Sequence, residues 1–328
     1  MKPILSFTLA ALGGLAATAA FAAPATAADC KSAATASDRA ICANPAVAKA
    51  DADMRAAFDA LIAASAPADQ KVFQSSQSAW LDDRHTDCDF ADATEKPAKP
   101  AAAATCVTEE SDARRRFLAG EPDAGPGVPG IVPVMRQGQG FIWSLHFSNP
   151  ATPAEKLVND KLDGEVAALH IGKIDDKGMY VDPNDYTDDF DAELAYASPA
   201  LLSVAVTGSH YAPATKDSTP VAYNLNVDMK AGKVLTFADA FAPDALPGLQ
   251  KQCVAQLGDF VKPEKGDKGE AAANLKLADA AVADLAWWSF GAKAVTINMD
   301  PGDEDPYECH LPYAALRKII KPDFPLPS

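Results

Sequence analysis

The stretch Gln77–Cys88, QSAWLDDRHTDC, decides the fold of the first part of this chain. Gln77, Trp80, Arg84 and Cys88 lie at offsets of 0, 3, 7 and 11 residues. At about 100° per residue, these four side chains fall within about 80° of arc on one helix face. An amide, an indole, a guanidinium and a thiol therefore share a face that aliphatic residues normally occupy. The pattern predicts a helix that ends in a disulfide and buries polar groups against a partner helix.

The residues before this stretch supply the partner helix. Asn44 and Pro45 are typical of an N-cap and of the first helical position, and apolar residues recur at helical spacing from there to Ile62. Pro67 ends this helix, and Asp69 can cap the next one. Because the loop between the two helices is short, we expect an antiparallel helical hairpin.

The polar stripe has two interpretations. In the structural one, Trp80 belongs to the core, Arg84 pairs with Asp51 or Asp53 across the hairpin, and Gln77 satisfies a backbone group. In the functional one, Trp80 and Arg84 face a protein partner, since both residue types are favoured at binding hot spots. We favour the structural role and keep partner binding by Trp80 and Arg84 as the alternative.

An insertion and a third helix follow the hairpin. Residues 89–104, DFADATEKPAKPAAAA, have low complexity and little apolar content, and we interpret them as flexible. The segment Cys106–Leu118 is typical of a short helix, with acids early and arginines late, as the helix dipole prefers. We expect Cys106 to attach this helix to the hairpin.

The chain begins with an export signal and carries an even number of cysteines. Met1–Ala28 combines Lys2, an apolar run and small residues suited to cleavage, which predicts a signal peptide. Disulfides persist in an oxidising compartment, so we expect structural disulfides. The first four cysteines allow three pairings, and the sequence leaves these open. The cysteines are Cys30, Cys42, Cys88, Cys106, Cys253 and Cys309.

The mature chain is strongly acidic. Removal of Lys2 with the signal peptide, which holds no acidic residue, takes the formal charge from −16 to −17. This charge argues against nucleic acid and anionic membranes as partners and suits a basic protein, although plain solubility is the simpler explanation. No apolar run long enough to span a membrane follows, and no lipoprotein cleavage site precedes Cys30. We therefore predict a periplasmic or secreted protein with no membrane anchor.

Residues 29–119 resemble the N-terminal domain of LprI-type lysozyme inhibitors. The resemblance implies a helical domain stapled by disulfides and, because the family includes a lipoprotein that inhibits lysozyme, a binding role. The insertion before Cys106 departs from the shorter family spacing, and the family's lipid-anchor cysteine is missing. The residues that carry the resemblance are Cys30, Cys42–Pro45, Asp51, Phe58, Gln77, Trp80, Arg84, Cys88, Cys106 and Arg114–Leu118.

A segment rich in glycine and proline separates this unit from a second one. Residues 120–130, GEPDAGPGVPG, show no periodicity, and we place a linker over 120–138. Beyond it, strand patterns alternate with helical ones, and hairpin connections predict an α+β domain over 139–328 with a mostly antiparallel sheet. The predicted strands are 140–148, 192–196, 201–211, 221–228 and 289–299, and the predicted helices are 152–169, 245–261, 270–286 and 312–320.

Three segments of the second unit carry a family pattern, and they are Tyr223–Asp228, Gly232–Phe241 and His310–Leu316. Through them, residues 139–321 resemble the C-terminal domain of RsiV-type anti-sigma factors. RsiV-type proteins sense lysozyme by binding it directly, so the resemblance implies a second lysozyme-binding element. Cys253 and Cys309 lie outside the family pattern and are expected to form a local disulfide.

Two acidic clusters in the second unit are candidate contact sites. A solvated face is the commonest role for such clusters, a docking surface for a basic protein is the next, and calcium is a third, although the spacing of an EF-hand loop is absent. The first cluster, predicted to lie in one loop, is Asp182, Asp185, Asp188, Asp189, Asp191 and Glu193; the second is Asp300, Asp303, Glu304, Asp305 and Glu308. As partner-binding candidates we select Asp182, Asp185, Asp188, Asp189, Asp303, Glu304 and Asp305, beside Trp80 and Arg84.

No constellation of catalytic residues emerges from the sequence. The histidines are scattered, and Gly208-Ser209-His210 is a weak match to a nucleophile elbow. A triad of Ser209, a histidine and an aspartate would have to assemble in space from His210 or His310. We predict no catalytic residue, no cofactor and no metal ligand.

These observations lead to one hypothesis with two alternatives. The leading hypothesis is a non-enzymatic, secreted periplasmic protein that binds or inhibits a lysozyme or another muralytic enzyme, because both halves resemble families with lysozyme-binding members. A hydrolase of the cell envelope that acts on peptidoglycan is the first alternative. A structural envelope protein is the second.

Overall fold

The fold is described from a computed structural model. The structure describes residues 30, 36–88, 99–137, 141–170, 172–173, 181–182, 186–212, 214–258, 260–261, 268–299 and 307–327. Helices come first along the chain, and mixed strands and helices follow. This order confirms the predicted fold class, a helical region with disulfides followed by an α+β region whose sheet is mostly antiparallel. The predicted signal peptide, residues 1–28, lies outside the described residues.

Four helices form what we call the helical unit. Asn44 caps the second helix by accepting a hydrogen bond from the backbone N–H of Ala46 (3.0 Å), and Pro45 is its first residue, as predicted. Asp69 does not cap the third helix: Ala66 takes the cap position without a side-chain bond, and Asp69 lies in the first turn. The helices are α1 (Ala36–Ala43), α2 (Pro45–Ala64), α3 (Pro67–Asp87) and α4 (Pro100–Ala119).

The third predicted helix is longer at its start than the sequence indicated. Helix α4 begins at Pro100, so residues 100–104 of the predicted flexible insertion are helical. The run of alanines there has high helix propensity, and proline is well suited to the first turn, which explains the extension. Two disulfides, Cys30–Cys42 and Cys88–Cys106, select one of the three pairings that the sequence allowed. The second joins the end of α3 to α4.

A six-stranded sheet forms the middle of the molecule. Its strands are ordered β1-β2-β3-β4-β5-β6, and every neighbouring pair is antiparallel except β2 and β3. Helix α5 (Pro153–Ala168) makes the crossover between those two strands, and Thr152 and Glu155 form the capping box predicted at its start. The strands are β1 (Ile131–Gln137), β2 (Phe141–Phe147), β3 (Thr187–Ala197), β4 (Leu201–Ala212), β5 (Asp217–Asp228) and β6 (Lys233–Val234).

The segment predicted as a linker is bound to the sheet. The backbone N–H of Asp123 donates to the carbonyl of Leu194 (2.8 Å), and that of Gly127 donates to the carbonyl of Ala197 (3.0 Å), so residues 123–127 run beside β3. The last part of the interval 120–138 is strand β1, which the sequence analysis did not predict. The positions of the domain boundaries stay a prediction.

Gly120 ends the helical unit where the chain turns into the sheet. Its φ of +64° is left-handed, as is common after the last helical residue. A Cβ at this position would lie 2.2 Å from the carbonyl oxygen of Ile131. Glycine is therefore required both by the backbone conformation and by the close approach of β1.

The last part of the chain builds what we call the terminal lobe, residues 236–327 as far as they are described. The predicted strand 289–299 is two strands, because the chain turns at Gly291, and the predicted helix 312–320 has a single short helical segment. The three strands of this lobe form a second, separate sheet. The disulfide Cys253–Cys309 joins a helix to this three-stranded sheet. The elements are α6 (Phe237–Ala240), α7 (Leu246–Val254), α8 (Lys268–Ala283), β7 (Trp288–Phe290), β8 (Ala294–Asn298), β9 (Glu308–Pro312) and α9 (Tyr313–Leu316).

Two large cores hold these parts together. The first is continuous from the helical unit, through residues such as Phe58 and Trp80, to the six-stranded sheet and α5, through residues such as Leu162 and Val204. The second lies mainly in the terminal lobe, includes Trp288, and also takes in Tyr196 and Leu201 of the six-stranded sheet. The helical unit and the sheet thus share one core rather than packing as separate globules. Within the described residues, no helix is long and apolar enough to cross a membrane.

Candidate functional site

The polar stripe of α3 lies inside the helical unit. Arg84 donates to the carboxylate of Asp51 (2.8 Å) and to the hydroxyl of Ser111 (2.8 Å), and its side chain is 2% exposed. The guanidinium also lies 5.0 Å from the ring centre of Trp80, which is itself buried. Arg84 thus connects α2, α3 and α4. The predicted pairing with Asp51 is present, and Trp80 lies in the core.

The sequence predicted that Gln77 binds a backbone group, but its amide binds two side chains instead. Its amide nitrogen donates to the sulfur of Met54 (3.1 Å), and its amide oxygen accepts from Nε of Arg114 (3.1 Å). Helix α4 supplies an arginine at this position, so the amide finds side-chain partners on both neighbouring helices. Gln77 therefore belongs to the same buried polar group as Arg84.

Arg114 is a buried residue that sequence reasoning missed. Its guanidinium lies 4.4 Å from the ring centre of Trp143 on β2 and 5.4 Å from that of Trp80. Burial lowers the pKa of Arg114 to about 9, and the nearby carboxylate of Asp191 opposes this shift. Its helical spacing from the apolar residues Val107 and Leu118 was the signal that could have indicated a buried position.

Trp143 fixes the contact between the helical unit and the sheet. Its indole N–H donates to the hydroxyl of Ser76 on α3 (2.7 Å), and its ring lies 6.3 Å from that of Phe117 on α4. With the contact to Arg114, this one side chain contacts two helices from the sheet. Asp191, paired with Trp143 in the strand register, has its pKa raised to about 7, chiefly by burial and then by Glu193.

A second group of polar side chains lies on the surface at the start of β3. The ring of Tyr186 lies between those of His170 and His210, with ring centres 4.1 and 4.3 Å apart and the planes tilted by 38° and 40°. Asp188 accepts from the backbone N–H of His170 (2.8 Å) and lies 2.8 Å from Nδ1 of His210. We call the group His170, Tyr186, Asp188 and His210 the acid–histidine surface. Asp189 pairs with Ser209 and points to the other face of β3. The His210 side chain is 44% exposed, so this group is open to a partner.

The acids predicted for a loop are placed differently. Asp188 and Asp189 lie on strand β3, together with Asp191, because β3 begins at Thr187 and pairs with β4 over its whole length. Asp182 is exposed. The remaining predicted contact residues, Asp185, Asp303, Glu304 and Asp305, lie outside the described residues.

The residues considered for a triad do not come together. Ser209 donates to Asp189 (3.1 Å), whereas His210 contacts Asp188, since neighbouring residues on a strand point to opposite faces. His310 contacts Glu308 (3.3 Å) on β9. In the part of the chain that the structure describes, no group of three or more His, Cys, Asp or Glu side chains is arranged to hold a metal ion.

The helical unit is similar to one known protein family. Residues 28–118 match the family model described as "Lysozyme inhibitor LprI", which confirms the resemblance noted for the first unit. The match spans less than a third of the chain. No curated protein matches the chain.

Solved structures give two distant likenesses. A member of the DUF3298 family from Bacteroides fragilis is 15% identical, with a TM-score of 0.40, and the alignment covers 58% of this chain and 92% of that one. A DUF3298 family protein from Pseudomonas aeruginosa is 16% identical, with a TM-score of 0.34, and the alignment covers 60% of this chain and 96% of that one. Neither protein is described as an RsiV-type protein, so that resemblance stays a prediction.

Proposed function

We propose that this protein binds and inhibits a lysozyme or another muralytic enzyme. The observation that carries the proposal is the match of residues 28–118 to the family described as "Lysozyme inhibitor LprI". Among the residues that carry the resemblance, Gln77, Trp80 and Arg84 are buried and hold the helices together. The proposal therefore assigns them to the fold of the inhibitory domain and not to its contact surface.

The acid–histidine surface is the proposed contact site. The carboxylate of Asp188 contacts His210, and the His210 ring lies beside that of Tyr186, which is 37% exposed. Carboxylates next to an aromatic ring suit a basic partner, because the charges pair with lysine and arginine while the ring buries apolar area. The charge of the whole chain, −16, would also speed the approach of such a partner at low salt. Inhibition then follows from occlusion of the enzyme's active-site cleft.

The proposed setting is the periplasm or the exterior of the cell. The predicted signal peptide and the three disulfides support it, since disulfides persist in an oxidising compartment. The RsiV-type resemblance of residues 139–321 remains part of the proposal, as a second element that would bind lysozyme. In this arrangement the helical unit and the sheet act as one rigid body, because they share a core.

The first test is a direct inhibition assay. The mature chain, residues 29–328, is added in micromolar excess to a basic lysozyme, and the clearing of a cell-wall suspension is followed at low and at physiological salt. We expect a lower rate of clearing, with stronger inhibition at low salt because salt screens surface charges. Unchanged lysozyme activity at micromolar excess and low salt would contradict the proposal.

The second test asks whether the acid–histidine surface makes the contact. The variant Asp188→Asn keeps the shape of the side chain and removes one charge from this surface. We expect it to weaken inhibition about tenfold, mainly through slower association. The matched control, Asp59→Asn, removes one charge at an exposed position on α2. If both variants weaken inhibition equally, net charge and not this surface is responsible.

A further inference from the structure

A cleft of about 300 Å³ lies between the two sheets. One wall is the face of the three-stranded sheet that points away from the core of the terminal lobe, whose buried residues include Trp288, Ile297 and Cys309. Ser289 pairs with Thr296 in the register of β7 and β8, and Asn298 pairs with Glu308 in that of β8 and β9. These four polar side chains therefore share one face, because residues paired across antiparallel strands point the same way.

The opposite wall belongs to the six-stranded sheet. Ala205 on β4 pairs with Asn224 on β5, and Ala222 lies two residues before Asn224 on the same face. The floor is thus built from two small methyl groups and one amide. Tyr223 on β5 and Trp287, from the short helical turn before β7, also line the cleft.

Hydrogen bonds beside the cleft hold its two walls at a fixed separation. The buried amide of Asn226 donates to the carbonyls of Leu285 (2.7 Å) and Trp288 (2.8 Å), and the hydroxyl of Ser203 accepts from the backbone N–H of Phe290 (3.3 Å). These bonds join strands of the large sheet to the terminal lobe. The cleft is therefore preformed, as small-molecule sites usually are, and its volume lies at the lower end of their range.

The chemistry of the lining points to one ligand class. An indole and two alanine methyls form the apolar part, and hydroxyl, amide and carboxylate groups form the polar part. Sugars match this mixture, since their C–H faces stack on aromatic rings and their hydroxyls both donate and accept hydrogen bonds. Glu308 is the only charged group among the described lining residues, and it already contacts His310 (3.3 Å). The described lining holds no lysine or arginine that would favour a phosphate or a carboxylate ligand.

We propose that this cleft binds a short, uncharged carbohydrate. The ring of Trp287 stacks on one sugar face, and Asn224, Ser289, Thr296 and Asn298 bond its hydroxyl or acetamido groups. This inference does not rest on the inhibition of lysozyme, and either property can be present without the other.

The experiment is a calorimetric titration of the mature chain with two trisaccharides. Chitotriose carries acetamido groups, and cellotriose carries hydroxyls at the same positions. We expect saturable binding of at least one of them, accompanied by a change in tryptophan fluorescence. Binding of chitotriose alone assigns recognition to the acetamido group, and equal binding of both assigns it to the hydroxyls. If neither sugar binds to the folded chain, the proposal is overturned.

Two variants locate the binding in the cleft. Trp287→Leu keeps an apolar side chain for packing against the lobe and removes the indole, and Ala222→Met fills the floor from a half-buried position. We expect each to weaken binding about tenfold, or abolish it, with an unchanged melting temperature within a few degrees. Ala63→Met, at an exposed position on α2, is the matched control and should bind as the parent does. Full binding by both cleft variants would overturn the assignment.

Discussion

The interior of the helical unit and the interior of the terminal lobe are built from different chemistry. The helical unit buries Asp51, Gln77, Arg84, Ser111 and Arg114 among its apolar side chains. Among the described residues after Asn226, by contrast, no polar or charged side chain is buried, and the core is aliphatic, aromatic and disulfide-bonded. Buried charges require their particular partners, whereas apolar side chains require mainly volume. The helical unit should therefore be less tolerant of a change of residue type, and the lobe less tolerant of a change of size.

The largest expected effect is the loss of one partner of the buried ion pair. Asp51→Ala leaves the Arg84 guanidinium, 2% exposed, with only the Ser111 hydroxyl as a hydrogen-bond acceptor. We expect the free energy of unfolding to fall by about 4 kcal/mol, because an uncompensated buried charge is costly. Denaturant unfolding of the mature chain, followed by circular dichroism, measures this change.

A double variant sharpens this result. Asp51→Ala with Arg84→Met removes both charges and should be less destabilised than Asp51→Ala alone, since no charge remains unpaired. If the double variant loses as much as the two single variants together, packing and not charge holds this part of the helical unit. The Arg84→Met single variant completes the cycle.

The next effect is expected in the terminal lobe. Leu311 on β9 is fully buried, and Leu311→Ala should cost about 3 kcal/mol through lost apolar contact and a cavity. Leu311→Met, which conserves volume, should cost less than about 1.5 kcal/mol. The same unfolding measurement tests both. Similar losses for the two variants would show that this core depends on exact shape as much as the helical unit depends on charge.

A smaller effect depends on pH and concerns the contact between the helical unit and the sheet. The pKa of Asp191 is about 7 in the folded chain, above an ordinary unfolded value of about 4. Between these values the folded state holds a proton that the unfolded state has released, so stability should fall as pH rises from about 4 to about 7. Asp191→Asn should remove this part of the slope.

Thermal unfolding of parent and variant across this pH range measures the Asp191 contribution. Asp59→Asn, at an exposed position on α2, is the matched control and should keep the parent slope. If Asp191→Asn has the same slope as the parent between about pH 4 and about pH 7, the slope belongs to other groups.

The smallest expected effect is the loss of a helix cap in the helical unit. Asn44→Ala removes the acceptor of the Ala46 N–H (3.0 Å) at the start of α2. The expected cost is about 1 kcal/mol, well below that of Asp51→Ala on the same helix. Asn44→Asp, which can also cap, should restore most of the loss. Equal losses for Ala and Asp at this position would show that capping is not what Asn44 contributes.

Sequence reasoning succeeded where a local pattern has one solution. The offsets of Gln77, Trp80, Arg84 and Cys88 indicated a single buried helix face, and Asp51 was one of two aspartates named as partners of Arg84. It missed the burial of Arg114, which was interpreted only as one of the arginines late in a short helix. Burial of Arg114 depends on Trp143, 29 residues further along and beyond the predicted boundary.

The acid–histidine surface was likewise predicted only in part. The acids of the first cluster were identified by composition, but their assignment to a loop was wrong for Asp188 and Asp189. Strand β3 forms there because β4 offers a continuous partner, and alternation along the strand then sends Ser209 and His210 to different aspartates. The contact of Tyr186 with His170 and His210 joins three separate segments, and no local pattern could predict it.

The sequence alone determined the helices, their disulfide-rich character, the α+β class of the second part and the resemblance to LprI-type inhibitors. These depend on residue spacing within short segments, which the chain carries wherever it folds. Only the tertiary structure decided the pairing of the first four cysteines, the shared core of the helical unit and the sheet, and the cleft between the two sheets. Each of these depends on contacts between segments that are distant in the sequence. Such contacts depend on the packing of all the apolar faces together.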